Sequence, residues 1–169
     1  MKRLIFLNGA MGSGKTAVSQ ALLNRLPACA MLDGDWCWMM RPFVVNEETK
    51  KMVLSNAAHL LRSFLDCSAI ENVVFCWVMQ SSDTIEELLG RIGRDGYEFS
   101  LFTLSVFEGE LRRRLNADIA AGNREEDITE RAVSYLPYFE RTKGRMINTD
   151  GRTPEECAEE IAAILSGKE

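Results

Sequence analysis

Apolar residues fall along this chain in five short runs, separated by longer stretches where they recur every three or four positions. The runs Arg3–Leu7, Cys29–Leu32, Val73–Val78, Phe99–Val106 and Arg145–Asn148 are bounded by polar or turn residues and are predicted as strands. Their near-continuous hydrophobicity predicts burial on both faces, as in a parallel sheet covered by helices. Helical spacing fills the gaps. Thr16–Leu26 places Val18, Ala21, Leu22 and Leu26 on one side and stops before Pro27. Glu47–Cys67 carries Val53, Ala57, Leu60, Leu61, Phe64 and Leu65 at the same period. Ser82–Arg94 starts at a polar cluster, Glu110–Ala121 stacks Leu111, Leu115 and Ile119, and Ile128–Arg141 forms a further helical stretch. The last helix has an explicit start, with Thr153 as N-cap, Pro154 as first helical residue and Glu156 as reciprocal partner in a capping box. Strands alternating with helices in this way predict a three-layer α/β domain. No repeat, low-complexity tract or linker divides the sequence, so a single domain over residues 1–169 is expected.

Composition adds bounds to this picture. An apolar fraction of 46% and a charged fraction of 27% are those of an ordinary globular protein with a substantial core. A net charge of −5 argues against nucleic acid as partner, because phosphate-backbone affinity rests on Lys and Arg. The five cysteines are scattered, and with the single His59 they offer no close-spaced zinc ligand set, so idle thiols in a reducing compartment are expected. His59 itself lies on an amphipathic helix and is expected to be structural. No apolar run reaches membrane-spanning length, and a cytoplasmic protein, monomeric or homodimeric, is expected.

Chemistry enters with Gly9-Ala10-Met11-Gly12-Ser13-Gly14-Lys15-Thr16, a G-x-x-x-x-G-K-T phosphate-binding loop between the first strand and the first helix. Its glycines let successive backbone N–H groups turn into one concavity, and the following helix adds a partly positive N-terminus. Lys15 supplies a mobile charge for the β- and γ-phosphates, and Thr16 offers a hydroxyl to Mg²⁺. The predicted nucleotide-binding set is Gly9, Met11, Gly12, Ser13, Gly14, Lys15, Thr16 and Ala17.

A second constellation follows the second strand, in Leu32-Asp33-Gly34-Asp35-Trp36. Ligands of parallel sheets bind at the carboxyl ends of the strands, so these acids face the crevice of the phosphate loop. If the backbone stays extended, Asp33 and Asp35 point the same way. Asp33 can then support Mg²⁺ with Thr16, while Asp35 accepts a proton from a substrate hydroxyl.

The phosphate loop followed about twenty residues later by Asp-Gly-Asp resembles the small P-loop kinases of metabolites, such as shikimate, gluconate and adenylylsulfate kinases and chloramphenicol phosphotransferase. The resemblance implies a five-stranded parallel sheet in the order 2-3-1-4-5, ATP as phosphoryl donor and Mg²⁺ as cofactor. Asn148-Thr149-Asp150-Gly151 is similar to the turn that borders the adenine in that family, which adds Asp150 to the nucleotide set. The resemblance also implies a small helical lid over about residues 111–128, in which Arg114 matches the family's R-L pattern and Arg124 sits at a polar turn able to close over the γ-phosphate. Two departures stand out. Asp118 occupies the position where related sequences place a second arginine, and Trp38 replaces an arginine of the adenylylsulfate kinases, which argues against a sulfate-nucleotide acceptor.

Weaker signals concern the acceptor. Trp36, Trp38, Met39, Met40 and Phe43 can line a pocket, with Arg41 for an anionic group, or form a short helix packed on the core. Val73–Val78 lacks the terminal acid of a Walker B strand, which favours kinases whose Mg²⁺ partner is the Asp pair. Gln80 and Ser81 lie just beyond it, in range of substrate or simply as loop beside the core. The resulting expectation is an ATP-dependent phosphotransferase acting on a hydroxyl of a metabolite or antibiotic. Its catalytic residues are Lys15, Asp35, Arg114 and Arg124, its acceptor residues Asp33, Asp35, Trp36 and Arg41, and its metal ligands Thr16 and Asp33. The alternatives are a nucleoside or nucleotide kinase, and a nucleotide-binding regulatory module without useful turnover.

Overall fold

A computed structural model describes residues 1–125 and 127–167; Glu126, within the predicted lid, and residues 168–169 lie outside the described residues. Strands β1 (Lys2–Gly9), β2 (Cys29–Asp33), β3 (Asn72–Cys76), β4 (Tyr97–Ser105) and β5 (Arg145–Asn148) form one sheet. Helices α1 (Lys15–Arg25), α2 (Glu47–Asp66), α3 (Ser82–Ile92), α4 (Glu108–Ala120), α5 (Ile128–Phe139) and α6 (Pro154–Leu165) connect and cover it. All neighbouring strands pair in parallel, in the order β2-β3-β1-β4-β5 that the family resemblance implied.

Alternation along β1 builds two cores at once, because successive side chains of a strand leave opposite faces. Leu4 and Phe6 join Leu61, Phe75 and Leu88 beneath α2 and α3. Ile5 and Leu7 join Val18, Leu22 and Ile161 beneath α1 and α6. Each fully buried aliphatic or aromatic side chain of this kind stabilises the fold by roughly 1.5–3 kcal/mol. A third cluster, including Ala10, Val106, Leu111, Leu115 and Ile128, seats α4 and α5 against the carboxyl end of the sheet, beside the phosphate loop. That cluster is what holds the arginine-bearing helix over the crevice.

Helix starts follow the sequence in one case and add to it in another. The Thr153–Glu156 capping box forms as expected, with Glu156 N–H donating to Thr153 Oγ1 (3.2 Å) and Thr153 N–H to Glu156 Oε2 (2.8 Å). A second box, unforeseen, opens α2: Thr49 N–H donates to Asn46 Oδ1 and Asn46 N–H to Thr49 Oγ1, both at 2.9 Å.

Three expectations need correction. Burial on both faces holds for β1 and β3 but not for β5, where only Ile147 is buried, because β5 is the sheet edge. The first half of β4 is likewise open, since β5 pairs only with Phe102–Ser105. β3 ends at Cys76, so Trp77 and Val78 belong to the loop beyond it. His59 is exposed on α2 rather than packed into it. Leu60, beside it, is also largely exposed, and Ala58 takes the inward position.

Candidate functional site

The loop between β1 and α1 opens into a cavity of about 390 Å³ at the carboxyl end of the sheet. Gly14 caps α1 with φ +95°, a left-handed conformation that L side chains rarely adopt, and it offers no side chain to the first-turn N–H groups. Those donors therefore remain for an anion. A Cβ at Gly14 would meet nothing within 4 Å, so the space before the helix is open. Ser13 Oγ is buried without a hydrogen-bond partner among the described residues. Lys15 Nζ donates to the carbonyls of Gly9 (2.9 Å) and Ala10 (2.7 Å), folding the ammonium back across its own loop. Burial pushes the Lys15 amine down from 10.5 to about 8, with Cys76, Asp35 and Asp33 acting in the opposite direction. An open cradle of N–H donors, an orphaned hydroxyl and a desolvated cation fit a polyphosphate.

Next to the lysine runs a chain of hydrogen bonds. Thr16 Oγ1 donates to Asp33 Oδ2 (2.8 Å), Asp35 N–H donates to Asp33 Oδ1 (3.0 Å), and Trp77 Nε1 donates to Asp35 Oδ1 (3.1 Å). The backbone does not stay extended through this segment. Asp33 ends β2 and caps a 3-10 turn over Gly34–Trp38, because its carboxylate accepts the Asp35 N–H. Asp33 and Asp35 nevertheless line the same cavity, one 7% exposed at the strand end and the other exposed on the turn. Thr16 and Asp33 supply the hard oxygens that Mg²⁺ takes beside phosphate and water. The fit is sound. Opposite Asp33 in the β2–β3 register is Cys76, whose thiol burial pushes up to about 12, so the carboxylate here comes from β2 rather than β3.

Gly34 makes this corner possible. A Cβ built on it would sit 2.4 Å from the Trp77 ring, a rigid neighbour. Gly34→Ala is expected to destabilise the protein by about 1–3 kcal/mol through overpacking, which lowers the melting temperature by about 3–10 °C. Thermal denaturation of the variant checks this, and an unchanged melting temperature would count against the contact.

Arginines close the other side. Arg114 donates from Nε to Glu110 (2.8 Å) and from its Nη atoms to Thr149 Oγ1 (3.1 Å) and Thr149 O (2.7 Å). Arg124 pairs with Asp118 (3.0 Å), so the acid that departs from the family pattern holds the second arginine of the same cavity. Arg112 turns away to Glu108 and Glu130, and Arg113 is mostly exposed against Glu110. Hydrogen bonds from Arg113 and Arg114 hold the Glu110 carboxyl down at about 2.

The remaining residues predicted to act fall around this centre. Met11, Gly12 and Ala17 line the phosphate cavity, while Gly9 supplies the carbonyl to Lys15. An adjoining hollow of about 430 Å³ is bordered by Gly14, Arg114, Thr149, Arg152 and Pro154. Asp150 lies on the other side of that turn, where its carboxylate accepts the Phe107 N–H (3.1 Å) and the Asn148 amide (3.0 Å). Arg41 borders a cavity of about 660 Å³ together with Asp35, Trp38 and Phe43. Trp36 is 55% exposed and lines neither this cavity nor the phosphate cavity. The indoles that do line this region are Trp38 and Trp77, and Trp77 was hidden in the sequence by the apolar run that makes it look like strand. Gln80 and Ser81 border a further cavity of about 940 Å³ beside both indoles.

A family model for the AAA domain matches residues 5–133, from β1 into α5. No curated protein sequence matches the chain. Solved structures share its fold. A tunicamycin resistance protein from Deinococcus radiodurans is 18% identical over 98% of this chain and 96% of its own, with a TM-score of 0.70. Shikimate kinase from Acinetobacter baumannii, in complex with shikimate, is 20% identical over 99% and 96%, with a TM-score of 0.68. The Mycobacterium tuberculosis APS kinase, in complex with AMPPNP and APS, is 18% identical over 98% of each chain, with a TM-score of 0.66.

Proposed function

Because the chain belongs to the AAA domain family, with small-molecule kinases among its structural neighbours, we propose that it is an ATP-dependent phosphotransferase acting on a hydroxyl of a small molecule. One observation carries this reading. Asp35 and Trp77 border the phosphate cavity, and each also borders one of the two cavities around Trp38, so a donor site and an acceptor site meet at one carboxylate.

The first-turn N–H groups of α1 bind the phosphates of ATP, and the hollow between Arg114 and Pro154 takes its base. Lys15 leaves its loop carbonyls for the β- and γ-phosphate oxygens. Thr16 and Asp33 would hold Mg²⁺, which would offset the charge of the phosphates. Asp35 orients the acceptor hydroxyl and takes its proton as that oxygen bonds to the γ-phosphorus and the bond to the ADP oxygen breaks. Arg114 and Arg124 neutralise charge that develops on the transferring group. Most of the rate advantage comes from positioning and fixed charge rather than covalent chemistry.

This reading is tested by ADP release with Mg·ATP and a panel of hydroxyl compounds. Acceptor-stimulated release, lost on chelation of Mg²⁺, is the expected result. Thermal stabilisation by Mg·ATP without turnover on any acceptor would instead support a regulatory nucleotide-binding module.

The state of Lys15 gives a pH dependence. Its amine titrates near 8 in the free protein, and a bound polyanion favours the charged form and raises that value. Complex formation above pH 8 therefore takes up protons. ATP affinity is expected to be nearly flat below about pH 7 and to fall as pH rises through about 8 towards 10. Calorimetry at pH 8.5 in buffers of different ionisation enthalpy measures the uptake directly, and proton release would contradict the assignment.

A further inference from the structure

The two cavities beyond Asp35 have a composition that specifies what they hold. The larger measures about 940 Å³ and takes its apolar wall from Trp38, Trp77, Tyr135, Leu54 and Val78, the rest of its lining being mostly polar. The Trp38 and Trp77 rings lie 6.4 Å apart, tilted by 44°, and Phe43 continues the aromatic surface 5.8 Å from Trp38. Two indoles at this angle form an open trough against which a flat ring packs by offset or edge contact.

Two of the four cations of the lining are paired with acids of the same lining. Lys50 pairs with Glu47 at 2.9 Å, and Arg91 pairs with Glu87 at 2.8 Å while donating to Ser55 at 2.8 Å. Recognition of a carboxylate or phosphate needs a guanidinium fork free to receive it, and the Arg91 fork is engaged. Lys51 and Arg41 are the other cations at these walls, and both are exposed, where pairing with an anion gains little. Along the rim the chain leaves Met39 83% and Phe43 67% exposed, apolar surface that an apolar occupant would cover.

Asp35 fixes the remaining requirement. Trp77 Nε1 occupies its Oδ1, leaving Oδ2 for a hydroxyl, and the same indole forms the wall on which a ring would rest. We propose that the acceptor is an uncharged alcohol built on a flat ring system, which packs against Trp38 and Trp77 and presents its hydroxyl to Asp35. The inference rests on the phosphotransferase reading and narrows its acceptor class.

ADP release with Mg·ATP decides it, using three sets of compounds at equal concentration: uncharged aryl alcohols and diols, uncharged sugars and polyols, and hydroxy acids including shikimate and gluconate. Stimulation of release by about tenfold or more over the acceptor-free rate is expected from the aryl set, and the same compounds should quench tryptophan fluorescence saturably. Trp38→Leu should raise KM for an aryl acceptor about tenfold, the contribution of a ring contact, while Mg·ATP still shifts its melting temperature as in the unaltered protein. A sugar or hydroxy acid as the best acceptor overturns the inference and leaves the phosphotransferase reading standing. An aryl acceptor whose KM ignores Trp38→Leu overturns the placement. Failure of all three sets to stimulate release overturns both.

Discussion

Asp35→Asn is expected to cut phosphoryl transfer by about 10²–10⁴-fold, the range for loss of a positioned general base, while Mg·ATP continues to raise the melting temperature. The two halves of this expectation have separate structural origins. Asparagine keeps an oxygen for the Trp77 Nε1 donor and leaves the Asp33 cap of the 3-10 turn untouched, so the corner retains its shape. What it loses is an acceptor for the hydroxyl proton. The proposed nucleotide contacts come from α1 and the phosphate loop, to which Asp35 makes no hydrogen bond among the described residues. The measurement is the transfer rate with the best acceptor at saturating ATP, set beside the nucleotide-induced thermal shift. Transfer near the unaltered rate would remove Asp35 from the role of base, and loss of both readouts would mark it as structural.

Lys15→Ala is expected to remove most of the Mg·ATP-induced thermal shift and to lower turnover by about 10³-fold, equivalent to about 4 kcal/mol of transition-state stabilisation. The cause lies in where the ammonium sits. In the free protein it is half-buried, drawn down to about 8, and hydrogen-bonded to two carbonyls of its own loop. A polyphosphate replaces those neutral partners with full negative charges in a partly desolvated site, where such contacts are strong. Alanine also strips two carbonyls of a donor, so the melting temperature without nucleotide must be measured alongside. A variant that keeps the full nucleotide-induced shift would show that the backbone cradle alone holds the phosphates.

Much of this arrangement is legible in the residues themselves. The phosphate loop, the Asp-Gly-Asp segment and the Thr153–Glu156 start signal are local patterns, and local patterns survive folding. The three-layer architecture follows from alternating periods, although the strand order came from family resemblance and from no spacing. What stayed hidden depends on contacts across the sheet. Asn8 reads as one more strand residue, yet its side chain exchanges two 2.8 Å hydrogen bonds with the Met79 backbone and so pins the loop after β3 beside β1. Trp77 reads as the continuation of an apolar run, and its backbone N–H still donates to Leu7 O, but the strand ends at Cys76 and the indole reaches Asp35. Trp36 reads as the acceptor indole of this segment ahead of Trp38, yet the 3-10 turn leaves Trp36 exposed and places Trp38 at the cavity walls. Asp118 read as a missing arginine, whereas its partner Arg124 lies six residues on across the turn after α4.

The strand order has an engineering consequence. With β1 at the centre, the parts proposed to face nucleotide derive from α1 and from the β5–α6 side, while those proposed to face the acceptor derive from the turn after β2, the loop after β3, and α2 and α3. Asp35, Trp77 and Val78 belong to both halves. On the proposed function, retargeting the protein to a new alcohol becomes a problem of rewriting one flank of the sheet, with the donor flank serving as a fixed chassis and those three residues as the coupling that must be left alone.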